Sequence, residues 1–169
     1  MDREEKQETM ETNEKEFAEI VKQHRSAIYT VCYMFAKDAD EADDLFQEVL
    51  INLWKGMGAF KEQSKISTWI WRVSFNTCIS ADRKKKKRKT VRLSMDINLY
   101  EDRDEDSRQI KMLYERIHRL KPFDRAIVML WLEGISYEEI GAIVGISTKN
   151  VSVRLVRIKE ELKKMTNNK

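Results

Sequence analysis

The stretch Ser136-Tyr137-Glu138-Glu139-Ile140-Gly141-Ala142-Ile143-Val144-Gly145-Ile146-Ser147 decides the fold of the C-terminal half of this chain. Ser136 with Glu139 three residues later has the form of a capping box, in which the hydroxyl and the acidic side chain serve backbone N–H groups that a helix start leaves unpaired. Ile140, Ile143 and Val144 then share one face of a short helix. Gly141 is small where another helix must come close. Gly145 stands where a helix ends in a left-handed turn, Ile146 plugs the corner, and Ser147 is placed to cap the next helix. Two short helices joined by a tight glycine-containing turn make a helix-turn-helix.

Downstream, Val151, Leu155, Ile158 and Leu162 form one apolar stripe. The outer face offers Thr148, Lys149, Ser152, Arg154, Val156, Arg157 and Lys159. Hydroxyls and cations on such a helix suit base edges and phosphates in a major groove. A helical hairpin with a merely solvated face would share this pattern; the basic balance of its domain favours DNA. Upstream, Lys121-Pro122-Phe123-Asp124 turns the chain into a helix holding Ile127, Val128, Leu130, Trp131 and Leu132, closed by Gly134. Ile110, Leu113, Tyr114 and Ile117 give the preceding helix.

Between 90 and 106 apolar periodicity is lost and the sequence turns acidic, through Glu101, Asp102, Asp104, Glu105 and Asp106. This reads as a linker. The fold class is therefore all-α: two small helical domains, 14–91 and 107–166, joined by a flexible acidic linker over 92–106.

The first domain begins after a polar, acidic dozen residues expected to be frayed. Phe17, Ile20, Val21, His24, Ile28, Val31, Cys32 and Phe35 follow at helical spacing. Lys37-Asp38-Ala39-Asp40 breaks that stripe and supplies an aspartate N-cap. A second stripe runs through Ala42, Leu45, Phe46, Val49, Leu50, Leu53 and Trp54, with Asp43, Asp44, Gln47, Glu48 and Asn52 opposite, until Gly56 and Gly58 end it. The acidic face would usually be solvated, but Asp44, Gln47 and Glu48 sit close enough together to dock a basic helical partner. The stretch 60–67 reads as a loop, and Ser67 or Thr68 as the cap of a third helix. On that helix Trp69, Ile70 and Val73 share a face, while Trp71 and Phe75 fall on another that needs a packing partner or a ligand. The helix runs into the basic residues 83–89.

Charge alternates along the chain. Residues 1–60 carry 7 basic and 14 acidic residues, 61–92 carry 11 and 2, 93–106 carry 1 and 6, and 107–169 carry 13 and 7, for a net +3. Such blocks point to two kinds of partner, one basic and one polyanionic. Aromatics beside cations and a polar loop in the second block are what single-stranded DNA needs, rings for unstacked bases and charges for phosphates.

With 41% hydrophobic and 36% charged residues, five Gly and one Pro, the composition favours solvated helices over a β-sandwich. Cys32 and Cys78 sit in apolar helical patterns and read as buried free thiols; with His24 and His118 they lack metal-ligand spacing. No phosphate loop or nucleophile–base pair is present, which argues against an enzyme acting on nucleic acid. No signal peptide is visible, and no apolar run approaches the roughly 20 residues of a membrane span. A cytoplasmic protein is expected.

The order Asp44-Leu45-Phe46-Gln47-Glu48-Val49, Leu53-Trp54, Phe60, Ser67-Thr68-Trp69-Ile70-Trp71-Arg72-Val73 and Asn76-Thr77 resembles region 2 of the extracytoplasmic-function (ECF) RNA polymerase sigma factors. The segment from Leu120-Lys121-Pro122 through Ser136-Tyr137-Glu138-Glu139-Ile140 to Arg157 is similar to region 4 of that family. The resemblance spans roughly 14–165. It implies a factor without cofactor, metal or catalytic chemistry that holds core RNA polymerase and promoter DNA together. Asp44, Gln47 and Glu48 would grip the β′ clamp helices. Phe60, Lys61, Gln63, Ser64, Lys65, Arg72, Asn76, Arg83 and Lys84 would melt and capture the −10 element, one non-template base flipping into the loop 60–68. Thr148, Lys149, Ser152, Val153, Val156 and Arg157 would read the −35 duplex, region 4 resting on the β flap. The linker would thread toward the RNA exit path, and an anti-sigma factor would hold the protein inactive. Ser152 and Val153 depart from the family, many members of which carry Arg there, so the −35 preference does not carry over. The basic run is also longer than is common. An autonomous helix-turn-helix regulator is the alternative; it leaves the Asp44/Gln47/Glu48 face and the aromatic helix unexplained. A pure protein-interaction adaptor is a further one.

Overall fold

The computed structural model describes residues 2–60, 64–87 and 105–167. The described residues form seven α-helices and no strand: α1 (Arg3–Phe35), α2 (Ala39–Met57), α3 (Ile66–Lys87), α4 (Glu105–His118), α5 (Pro122–Leu132), α6 (Tyr137–Val144) and α7 (Thr148–Asn167). The expected all-α class holds. The expected linker lies largely outside the described residues, and α4 begins within its last two positions, at Glu105.

The first three helices pack on one another. α1 corrects the expectation of a frayed N-terminus: it is helical from Arg3, because the Asp2 and Glu5 side chains satisfy backbone N–H groups reciprocally as a capping box. At 33 residues it is about 50 Å long. Its first turns are exposed, and burial begins with Phe17 and Ile20 and deepens at Ile28, Val31, Cys32 and Phe35. Asp38 caps α2 as expected, accepting from the Glu41 N–H at 2.9 Å. The start of α3 is a second correction. It opens at Ile66, so Ser67 and Thr68 lie inside the first turn, and the Lys65 carbonyl accepts from the Trp69 N–H at 3.2 Å. Thr68 is buried there rather than capping.

In the second group Pro122 opens α5 where its missing N–H costs nothing. Ser136 caps α6 through the Glu139 N–H at 3.2 Å, and Gly145 ends it at φ +81°, a conformation that only glycine adopts without strain. Ser147 accepts from the Asn150 N–H at 3.2 Å and so caps α7. A Cβ on Gly141 would lie 2.6 Å from the Ile146 carbonyl oxygen. The close approach expected at Gly141 is thus made by the turn backbone, not by the body of another helix. Val151, Leu155 and Ile158 are each at most 1% exposed, and burying each contributes roughly 1.5–3 kcal/mol.

The two groups are in contact. α3 packs on α5 and α6, and α1 on α4. Phe75, 2% exposed, is part of that core, stacking on Trp71 at 5.9 Å and meeting the Phe35 edge at 6.1 Å. The second aromatic face of α3 thus has a packing partner in this structure.

Candidate functional site

Asp44, Gln47 and Glu48 are all exposed, because Ala42, Leu45, Val49 and Leu53 turn the other side of α2 into the core. Asp43 is exposed beside them. Ile51, one turn further along the same face, is 53% exposed, so this acidic and amide surface has an apolar member.

The loop before α3 brings Phe60 back onto Trp69, whose rings stack at 4.9 Å. Gly56 makes room for that indole: a Cβ there would sit 3.1 Å from its six-membered ring. Phe60, Trp69, Trp54 and Ile66 wall a cleft of about 300 Å³, with Asn13 and Glu16 of α1 at its edge. Lys61 and Gln63 lie outside the described residues, while Ser64 and Lys65 border the loop's end. Asn76 is exposed one helical face away; the neighbouring Thr77, not Asn76, takes the bond from α2, accepting from Asn52 at 3.0 Å. Arg83 and Lys84 are exposed near the end of α3.

Lys65 and Arg72 are not free. Lys65 Nζ lies 3.1 Å from Glu139 Oε1 of α6, and the Arg72 guanidinium donates to the Ala142 carbonyl at 2.8 Å. The acidic half of the expected capping box therefore serves a partner 74 residues away. Arg125, which has no role in the sequence reading, is the other joint. It is 6% exposed, donates to the carbonyls of Met34, His118 and Leu120, and lies over the Phe35 ring at 4.9 Å. A charge at the head of the otherwise apolar run Arg125-Ala126-Ile127-Val128 was the available signal. Beside it, burial first and the Arg125 charge second push His118 down to about 4, against an opposing pull from Asp82.

On α7, Thr148, Lys149, Ser152, Val153, Val156 and Arg157 are all exposed. Arg154 and Lys159 leave the outer face. Arg154 pairs with Asp124 at 2.8 Å and covers the Phe123 ring, and Lys159 sits over the Trp131 ring at 4.2 Å. Cys32 and Cys78 are buried free thiols; Cys78 is raised above the ordinary thiol range chiefly by its hydrogen bond with Cys32 and by burial. Among the described residues no cluster of three or more His, Cys, Asp or Glu could hold a metal ion. No helix among them is long and apolar enough to cross a membrane.

Residues 20–88 match the family Sigma-70 region 2, and 110–162 match Sigma-70, region 4. The ECF RNA polymerase sigma factor SigW of Bacillus subtilis (strain 168) is 30% identical over 163 residues, covering 88% of this chain and 87% of SigW. This chain belongs to the ECF sigma factors. The ECF sigma factor SigE of Mycolicibacterium smegmatis is 28% identical over 153 residues, 86% of this chain and 59% of SigE. The fold is that of the sigma factor RpoE of Bartonella quintana in its co-crystal with the anti-sigma factor NepR. That likeness has a TM-score of 0.76 at 21% identity and covers 91% of this chain and 98% of that one. Membership makes this protein an RNA polymerase sigma factor for promoter-specific transcription, from a family of non-enzymatic initiation factors. A lone helix-turn-helix regulator would not carry the region 2 match over 20–88.

Proposed function

We propose that the two modules divide the work of initiation as their surfaces suggest. The exposed Asp44, Gln47 and Glu48 dock the β′ clamp helices of core polymerase. The loop 60–68, with Phe60, Lys61, Gln63, Ser64 and Lys65, captures a flipped −10 base, assisted by Asn76, while Arg72, Arg83 and Lys84 follow the displaced strand's phosphates. α7 enters the −35 major groove with Thr148, Lys149, Ser152, Val153, Val156 and Arg157, and region 4 rests on the β flap. The protein works in the cytoplasm, where polymerase and promoter are, and supplies no chemistry of its own. RpoE was crystallised with an anti-sigma factor, which supports a partner of that kind for this chain.

The observation that carries this reading is the separation of surfaces: an acidic helix face in region 2 and a basic outer helix in region 4, both exposed. Lys65 and Arg72 reach DNA only by exchanging their bonds to α6 for phosphates. Run-off transcription with bacterial core polymerase tests the whole: the chain is expected to direct initiation from discrete start sites, with permanganate-reactive thymines near −10. Duplex binding without any polymerase-dependent start would overturn it.

A further inference from the structure

Two exposed valines occupy the outer face of α7. Val153 is 47% and Val156 56% exposed. The buried stripe of Val151, Leu155 and Ile158 fixes which side of the helix faces the domain. At about 100° per residue, Val153 points almost directly away from that stripe, with Lys149 and Val156 next to it and Ser152 and Arg157 on either flank. The centre of the outward face is thus apolar over the first half of the helix and its border is hydroxyl and cationic there, with exposed Glu160 one turn further on. Both valines lie in the first half of the helix, the part that meets base edges when a recognition helix enters a major groove.

We infer that Val153 and Val156 read thymine through its 5-methyl group, so that the upstream element used by this factor places thymines against these two side chains. The inference rests on the proposed docking of α7 in the −35 groove. The 5-methyl group of thymine is the apolar feature among the donor and acceptor patterns of the major groove. Valine presents two methyl groups on a side chain that is nearly fixed at χ1 in a helix, so little freedom is lost on contact. Lys149 and Arg157 supply the complementary charge for guanine or phosphate on both sides. A protein partner would need a wider apolar core with aromatic anchors, and this face offers none.

The test uses holoenzyme reconstituted from the full chain and core polymerase, with upstream duplexes selected from a random library. Each thymine is then replaced by deoxyuridine, which removes only the methyl group. At the positions facing the valines, binding should weaken about fourfold per methyl. In Val153→Ala with Val156→Ala the thymine-to-deoxyuridine ratio should fall toward one at those positions. Val153→Thr, which keeps the shape and one of the two methyl groups, should lower that ratio only part-way at one position and guards against a folding effect of the double change. Selected duplexes bound equally with thymine or deoxyuridine at every position would overturn methyl reading while leaving α7 docking intact. If no upstream sequence is selected, and Arg157→Ala changes nothing, the docking of α7 fails and the inference with it.

Discussion

Arg125 of α5 donates a hydrogen bond to the backbone carbonyl of Met34, 91 residues earlier in α1, at 3.2 Å. The same guanidinium holds the His118 and Leu120 carbonyls at 2.8 and 3.0 Å. One side chain thus satisfies backbone groups at the ends of two helices and ties region 4 to region 2. Truncation leaves those carbonyls unpaired where water has poor access. Arg125→Ala is expected to destabilise the free protein by about 2–4 kcal/mol, read from urea unfolding. A loss below about 0.5 kcal/mol would mean the joint carries no weight.

The Lys65–Glu139 pair is different in kind. Its Lys65 side chain is 76% exposed, so the pair is worth only about 0–1 kcal/mol. Glu139→Gln should leave the melting temperature almost unchanged, because the Arg125 joint and the packing of α3 on α5 and α6 still hold the modules together. Thermal unfolding of the two proteins side by side records the difference. A loss of several degrees would show that the pair carries more of the interface than its exposure allows.

Asp44→Arg with Glu48→Arg should abolish co-purification with core polymerase and keep the helix content. Both side chains are exposed, so reversal does not disturb the core, while a complementary interface loses several kcal/mol. Retained association would move the polymerase contact elsewhere.

Gly141→Ala forces a Cβ to within 2.6 Å of a backbone oxygen, and backbone yields less readily than the end of a side chain. We expect a loss of about 1–3 kcal/mol and a melting temperature several degrees lower. Gly58→Ala, where a Cβ meets nothing within 4 Å, serves as the control. Equal behaviour of the two variants would contradict the tight turn.

His118 gives a pH dependence with a definite sign. Its folded value near 4 lies below the ordinary 6.5, so the unfolded chain binds more protons between those values. Its contribution to stability is complete above about pH 6.5 and is lost as pH falls toward 4. His118→Gln should flatten that part of the stability profile relative to the natural protein. Parallel profiles for the two would show that the imidazole is not held neutral.

The caps at Asp38, Ser136 and Ser147, the left-handed Gly145 and the apolar stripes are all legible in the sequence. Each depends on atoms within about four residues or on a 3.6-residue period, so the chain states them locally. The start of α1 is equally local: Asp2 and Glu5 form the kind of box that the spacing of Ser136 and Glu139 suggests. The exposed acidic face of α2 and the outer face of α7 followed from periodicity, since fixing the buried side of a helix fixes the other. The neighbours across the domain boundary did not follow. Phe75 needed some partner, but only the packing of α3 on α1, which brings Phe35 to its ring, supplied it. Glu139 could serve its own helix start or a distant cation, and it took Lys65. Arg154 and Lys159 shared a helix with the DNA-facing residues, yet Asp124 and the Phe123 and Trp131 rings draw them back. Long side chains choose among partners within reach, and which partners are within reach is set by how helices meet, a matter of long-range packing that no local spacing encodes.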